Sequence, residues 1–209
     1  MVVIVGCIWL SPRRAEADRP SSQRLVGAGV AMAVPMYFAG VAQHELSHAA
    51  VAKMFGRRIL EIKVLPGFHR GAFYFGYVRY SPRLPTGKRT FFLLAPKLVN
   101  VLLLGGYAAL QHTDNLPRNR YGQLAFTVWA NTQWVDLSKD LLLFWRKHDI
   151  NVAYKINGKN TFWSKLPGRV VHLALSAAGG YFVVKGYAHV FDRPAPGAAM
   201  LLPLTGGAF

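Results

Sequence analysis

The sequence predicts a mainly helical, polytopic membrane protein with about four transmembrane helices. Only 16% of the 209 residues are charged, whereas a typical soluble domain has about 25%. Four apolar segments are each near or above the roughly 20 residues that a spanning helix needs. These segments are 25–55, 90–110, 121–145 and 170–190. They define one membrane-embedded domain at 25–190, between an N-terminal tail at 1–24 and a C-terminal tail at 191–209.

The N-terminal tail begins with MVVIVGCIWL, an apolar run of ten residues. This run is too short to cross a bilayer as a helix. It also lacks the basic residues that precede the apolar part of a signal peptide. We therefore expect an interfacial or re-entrant segment here.

The first apolar segment contains the run His44-Glu45-Leu46-Ser47-His48. An H-E-x-x-H sequence on a helix places two imidazoles on one face, about one turn apart, where both can bind one Zn²⁺. The adjacent glutamate can then act as a general base on a water activated by the metal. Because such polar side chains are costly in an apolar span, the run predicts a functional site. The alternative, a pair of core histidines bonded to backbone carbonyls, leaves Glu45 unexplained.

A different pattern follows the first span, in ILEIKVLPGFHRGAFYFGYVRY, from Ile59 to Tyr80. It is rich in β-branched and aromatic residues and is interrupted by glycines, which predicts two or three short strands. An open sheet edge inside lipid would leave backbone groups unsatisfied. This β-rich segment therefore need not lie in the hydrocarbon core.

A catalytic zinc usually has a third protein ligand, and two aspartates in the third span are the candidates. Asp136 and Asp140 are four residues apart and share one helix face. With four spans, the first and third helices run parallel, so these aspartates lie at a depth similar to that of the histidines. The choice between them stays open, because either one could instead pair with Lys139 or orient a histidine from behind.

Two asparagines in the spans are candidates for substrate binding. Asn131 precedes Asp140 on the third span and can hydrogen-bond a substrate backbone. Asn100, in the second span, can line the site. The alternative for both is a polar contact that holds two membrane helices together.

The net charge of +16 is compatible with two kinds of partner, nucleic acid or an anionic membrane surface. The basic residues lie mostly between the apolar segments, without a basic stripe interleaved with aromatics. This favours lipid headgroups and argues against nucleic acid. The loops after the first and third spans carry most of the lysines and arginines, so we expect them, and the nearby H-E-x-x-H site, on the cytoplasmic side of the cell membrane.

The stretch HELSHAAVAKMFGRRI resembles the site-2 protease family of intramembrane zinc metalloproteases. The β-rich segment, Ala95-Pro96 with Asn100 after it, and an Asn followed by an Asp on a later helix are similar to that family too. The resemblance covers about half the chain. It implies a zinc endopeptidase in which His44, His48 and either Asp140 or Asp136 bind Zn²⁺ and Glu45 is the general base. The implied substrate is a membrane-embedded segment of another protein.

The third-ligand region departs from the family pattern, which usually has a proline after the Asn and a glycine after the Asp. Here Asn131-Thr132-Gln133-Trp134 has no proline, and a leucine follows each aspartate. Spacing from Asn131 favours Asp140, whereas the preceding apolar residue favours Asp136. This departure motivates an alternative function, a catalytically inactive membrane scaffold or chaperone derived from such a protease.

Overall fold

The order of elements is helix, four strands, then four helices, in a computed structural model that describes residues 20–69, 71–142 and 148–194. The mainly helical prediction is confirmed. The helices are α1 (Ser22–Met54), α2 (Thr86–His112), α3 (Arg120–Leu142), α4 (Asp149–Ile156) and α5 (Phe162–Val190). The strands are β1 (Arg58–Lys63), β2 (Gly67–His69), β3 (Ala72–Tyr74) and β4 (Tyr77–Ser81). Most of both predicted tails (1–19 and 195–209) and the end of the predicted third span (143–145) lie outside the described residues.

The α1 helix covers the first predicted span and has defined signals at both ends. Ser21 caps its start, where the hydroxyl accepts a hydrogen bond from the backbone N–H of Arg24 at 3.4 Å. Gly56 follows its end with φ of 71°, a left-handed conformation that glycine adopts without steric cost. The helix therefore stops shortly after His48, and the chain reverses into β1.

Two of the described helices, α1 and α2, are long and apolar enough to cross a membrane, by length and composition. The most apolar 18-residue window of α1 is only 11% buried inside the protein, and that of α2 is 39% buried. Helices α3 and α5 cover the third and fourth predicted spans but are not among the described helices long and apolar enough to cross a membrane. A crossing by α3 and α5 therefore remains a prediction.

The α3 helix is less apolar because it lies at the centre of the bundle, in contact with α1, α2 and α5. Its buried face includes polar side chains, which hydrogen-bond to other helices. Thr127 is bonded to the hydroxyl of Tyr107 at 2.7 Å, and the Gln133 carbonyl accepts from Gln43 Nε2 at 2.6 Å. These polar side chains of α3 thus contact other helices of the protein. Their burial there accounts for the low hydropathy of α3.

The four strands occupy the segment in which two or three were expected. β1 pairs antiparallel with β4, with a register shift between Ile59 and Glu61, and β2 pairs antiparallel with β3. Both β1 and β4 contact α1. This β-rich segment therefore lies beside the helix that carries the H-E-x-x-H run.

The short helix α4 was not predicted from the sequence. It lies against α2, where Ala153 is buried in a cluster that includes Phe92 and Leu93. Its first residue is Asp149, an acidic side chain at the helix N-terminus, where the helix dipole favours negative charge. Helix α4 thus fixes the position of a carboxylate that lies outside the long helices.

Gly180 on α5 allows close approach to α3. A Cβ atom at this position would lie 2.9 Å from Trp134 Nε1, and that indole is held by a 2.7 Å hydrogen bond to the Ser176 carbonyl. At Gly106 on α2, by contrast, an added Cβ would have no neighbour within 4 Å. The two glycines therefore differ in packing although both are within helices.

We expect Gly180→Ala to lower the midpoint of thermal unfolding in detergent and Gly106→Ala to leave it unchanged or raise it. Alanine is favoured over glycine within a helix by about 1 kcal/mol, whereas overpacking costs about 1–3 kcal/mol. Tryptophan fluorescence during heating measures both. Equal shifts in the two variants would contradict the close α3–α5 contact.

Candidate metal centre

Three side chains converge beside the C-terminal half of α1: those of His44, His48 and Asp149. One ligand atom from each lies within 4.8 Å of the others. The Nε2 atoms of both histidines are 3.2 Å from Asp149 Oδ2. The histidines are four residues apart on one helix, which puts their ring centroids 5.0 Å apart.

The orientation of the His48 ring is fixed by Phe92 on α2. His48 Nδ1 lies 2.8 Å from the Phe92 carbonyl oxygen, and the two rings stack with centroids 4.5 Å apart. Because a carbonyl can only accept a hydrogen bond, Nδ1 is the donor. In a neutral His48, the Nε2 lone pair therefore points toward Asp149.

The His44 ring is held from behind by Asp136. His44 Nδ1 is 3.0 Å from Asp136 Oδ2, the same oxygen that accepts from Asn100 Nδ2 at 2.6 Å and from Lys97 Nζ at 3.2 Å. Lys139 pairs with the other carboxylate oxygen. Both oxygens of the Asp136 carboxylate thus already have partners. By its contact with Nδ1, Asp136 orients the His44 ring so that Nε2 faces Asp149.

Three atoms face one another here: His44 Nε2, His48 Nε2 and Asp149 Oδ2. When the imidazoles are neutral, all three are hydrogen-bond acceptors, so a positive charge is needed between them. Protonation of the imidazoles is one solution. Burial alone would raise the pKa of Asp149, but hydrogen bonds from the two imidazoles and their positive charge outweigh it and lower that pKa. The other solution is a metal ion, and the group of His44, His48 and Asp149 could hold one.

The structure places neither aspartate of the third span in this group. Asp140 is buried: its Oδ2 lies 3.3 Å from Lys97 Nζ and its Oδ1 lies 3.0 Å from His148 Nδ1. Asp136 and Asp140 do share one helix face, as expected from their spacing, and Lys97 contacts both. Lys97 thus pairs with both aspartates of α3. The third member of the group with His44 and His48 is Asp149.

The sequence pattern did not indicate Asp149, because this residue lies outside the apolar spans that contain the other candidate carboxylates. Asp149 comes four residues after the predicted end of the third span. A usable signal was present, since the chain has only nine acidic residues and Asp149 begins the short apolar-rich run DINVAYKI. His148 just before it contacts Asp140, which ties the start of α4 to α3.

A large cavity of about 1000 Å³ extends from the metal centre along α1 and α3. Its walls include Glu45, Asn131 and the β4 residue Tyr77, and they are mostly apolar. The Glu45 carboxylate makes no hydrogen bond to any described residue. Asn100, by contrast, is 1% exposed and bonded to Asp136 and Gln43, so only Asn131 of the two predicted substrate-binding residues lines this cavity.

Gly76, just before β4, lies directly against Glu45. A Cβ atom at Gly76 would be 2.8 Å from Glu45 Oε1 and 2.9 Å from the Lys63 carbonyl oxygen. The absence of a side chain at this position therefore leaves room for the Glu45 carboxylate beside the metal centre.

The chain has no significant match among family models, curated proteins or solved structures. The resemblance to site-2 proteases rests on the sequence motifs alone. The function is therefore inferred from the contacts of this site.

We expect purified protein to bind about one metal ion per chain, and His48→Ala and Asp149→Asn to lose it, because each removes one member of the ligand group. Elemental analysis by mass spectrometry measures the metal. Asp136→Asn should weaken metal affinity by about 10–100-fold, the usual effect of losing a partner that orients a ligand.

Two exposed residues provide matched controls, His112→Ala and Asp114→Asn, which should retain the metal. Full metal content in Asp149→Asn together with loss in Asp140→Asn would contradict the assignment of Asp149 as the third ligand.

Proposed function

We propose that this protein is an intramembrane zinc endopeptidase, which hydrolyses a peptide bond in or near a transmembrane segment of another protein. One observation carries the proposal. Two histidines and an aspartate form a group that could hold a metal ion, with an unpaired glutamate beside it, at the wall of a large apolar cavity.

The donor set supports zinc as the metal. Two imidazole nitrogens with one carboxylate oxygen make up a typical catalytic zinc site. Tetrahedral ligands at about 2.0–2.1 Å from zinc are about 3.3 Å apart. The two Nε2–Oδ2 distances here are both 3.2 Å. Each imidazole also donates its Nδ1–H to an oxygen, as zinc-binding histidines generally do.

Glu45 is the residue that moves the proton in this proposal. Zinc, when bound, lowers the pKa of a water molecule and polarises the scissile carbonyl. Glu45 accepts a proton from the attacking water while the oxygen of that water bonds to the carbonyl carbon. Glu45 then delivers the proton to the leaving nitrogen as the C–N bond breaks. Its lack of other hydrogen bonds keeps the carboxylate available for both steps.

The large cavity supports a hydrophobic peptide as substrate. Its apolar walls suit the side chains of a transmembrane segment, which must unwind locally to present a peptide bond to the metal. Tyr77 and Val78 line the cavity, and the described part of the sheet pairs β4 with β1 only. An unwound substrate can therefore add to β4 as a strand while Asn131 binds its backbone.

Apolar surfaces on the outside of the bundle support a position in the membrane. The side chains of Val34 on α1, Leu102 on α2 and Val184 on α5 are 62%, 73% and 51% exposed. Exposed apolar surface of this kind favours lipid around the helices. With α3 and α5 as further spans, the basic loops lie near the metal centre, which favours the cytoplasmic side of the cell membrane.

We expect Glu45→Gln to reduce peptide release by about 10²–10⁴-fold while the bound metal is retained, because only proton transfer is removed. The assay mixes reconstituted protein with a panel of single-span membrane proteins and detects new N-termini by mass spectrometry. Asp114→Asn, an exposed carboxylate just after α2, is the matched control.

Undiminished cleavage by Glu45→Gln would rule out the role given to this residue. Wild-type protein that binds zinc but cleaves no member of the panel would favour the alternative, a catalytically inactive scaffold or chaperone.

We expect Gly76→Ala to lower the cleavage rate with the metal retained, because the new methyl group displaces the Glu45 carboxylate. Gly87→Ala, where an added Cβ would have no neighbour within 4 Å, should cleave like the wild type. The readouts are the cleavage rate and zinc content of the same samples. Unchanged cleavage by Gly76→Ala would show that Glu45 is not constrained by this contact.

A further inference from the structure

A second cavity, of about 410 Å³, lies between α2, α4 and α5. It shares no lining residue with the cavity at the metal centre. Apolar side chains form most of its wall, among them Leu98 and Val101 of α2 and Val171 and Leu175 of α5. It is therefore a separate site suited to an apolar group.

The charged groups of this second cavity are of one sign. Its lining includes Lys97 and Lys159 but no carboxylate. Lys97 is buried and already paired with Asp136 and Asp140. Lys159 is exposed, and no carboxylate of the described residues pairs with it. An amphiphile with an apolar chain and a negatively charged head fits this arrangement.

The start of α5 has features of a membrane interface. Trp163 is 75% exposed, and Lys159 and Lys165 lie on either side of it in the sequence. Exposed tryptophan with basic neighbours at the start of an apolar helix is typical of the headgroup region. From there the cavity wall continues along α5 to Val171 and Leu175, which are 60% and 40% exposed. Lys159 is thus at headgroup level and the apolar wall lies deeper.

We propose that the second cavity binds one acyl chain of an anionic phospholipid, whose phosphate contacts Lys159. The bound chain contacts Ile150, next to Asp149, and Lys97, which pairs with Asp136 and Asp140. The lipid therefore stabilises α4 against α2 and holds Asp149 at the metal centre. The inference depends on the membrane position proposed above and is independent of peptidase activity.

The test compares two tryptophan substitutions at adjacent exposed positions of α5. Val171 lines the second cavity, whereas Val170, which is 55% exposed, does not. Protein in vesicles of phosphatidylcholine with a minor fraction of phosphatidylglycerol is extracted and its bound lipid is counted by native mass spectrometry. Val171→Trp should lose bound phosphatidylglycerol because the indole fills the cavity. Val170→Trp should keep it.

Two further measurements examine the headgroup and α4. Lys159→Gln should weaken the preference for phosphatidylglycerol over phosphatidylcholine about fivefold, the effect of one basic residue near an anionic surface. Lys155→Gln, on α4 but outside the cavity lining, should not. Phosphatidylglycerol should slow hydrogen exchange of the α4 amides in the wild type and in Val170→Trp but not in Val171→Trp.

Equal lipid loss in the two tryptophan variants, or equal retention of the two phospholipids by the wild type, would overturn the inference. Recovery of a free fatty acid in place of the phospholipid would also overturn it. The zinc content of the same samples separates this test from that of the proposed function. Zinc-free protein that still binds phosphatidylglycerol would reject the peptidase and leave the lipid site standing.

Discussion

The convergence of three hydrogen-bond acceptors on one point is the constraint that organises this protein. The two Nε2 atoms and the Asp149 carboxylate come from α1 and α4. The Phe92 carbonyl of α2 orients one ring, and Asp136 of α3 orients the other. Four helices thus contribute to this one small site. The positions of the three acceptor atoms depend on how all four helices pack.

Lys97 shows how the polar network behind the metal centre is divided. Its ammonium group lies between Asp136 and Asp140, and Lys139 also pairs with Asp136, so two ammonium groups offset the charges of these two carboxylates inside the bundle. Breaking a buried pair of this kind is costly, because the remaining charge has no partner. A third carboxylate faces the Nε2 atoms of His44 and His48. That carboxylate belongs to Asp149, on the short helix next in the chain.

Local patterns predicted much of the structure, and long-range contacts explain what they did not predict. The H-E-x-x-H run predicted two ligands because a helix alone sets the spacing of residues four apart. Asp149 is 101 residues from His48, so only the packing of α4 on α2 brings them together. The role of Asn100 was also undetermined, because its burial against Asp136 depends on the α2–α3 contact. Hydropathy located α3 but could not distinguish a helix facing lipid from one surrounded by other helices.

The charge balance of the candidate metal centre bears on the proposed membrane position. Four carboxylates, those of Glu45, Asp136, Asp140 and Asp149, lie near two ammonium groups, those of Lys97 and Lys139. With neutral imidazoles, two negative charges remain, and one divalent cation would cancel them. Charge is costly in a low-dielectric medium. For the metal site and membrane position proposed above, metal loading and transfer of the folded bundle into lipid are therefore thermodynamically linked, and each favours the other.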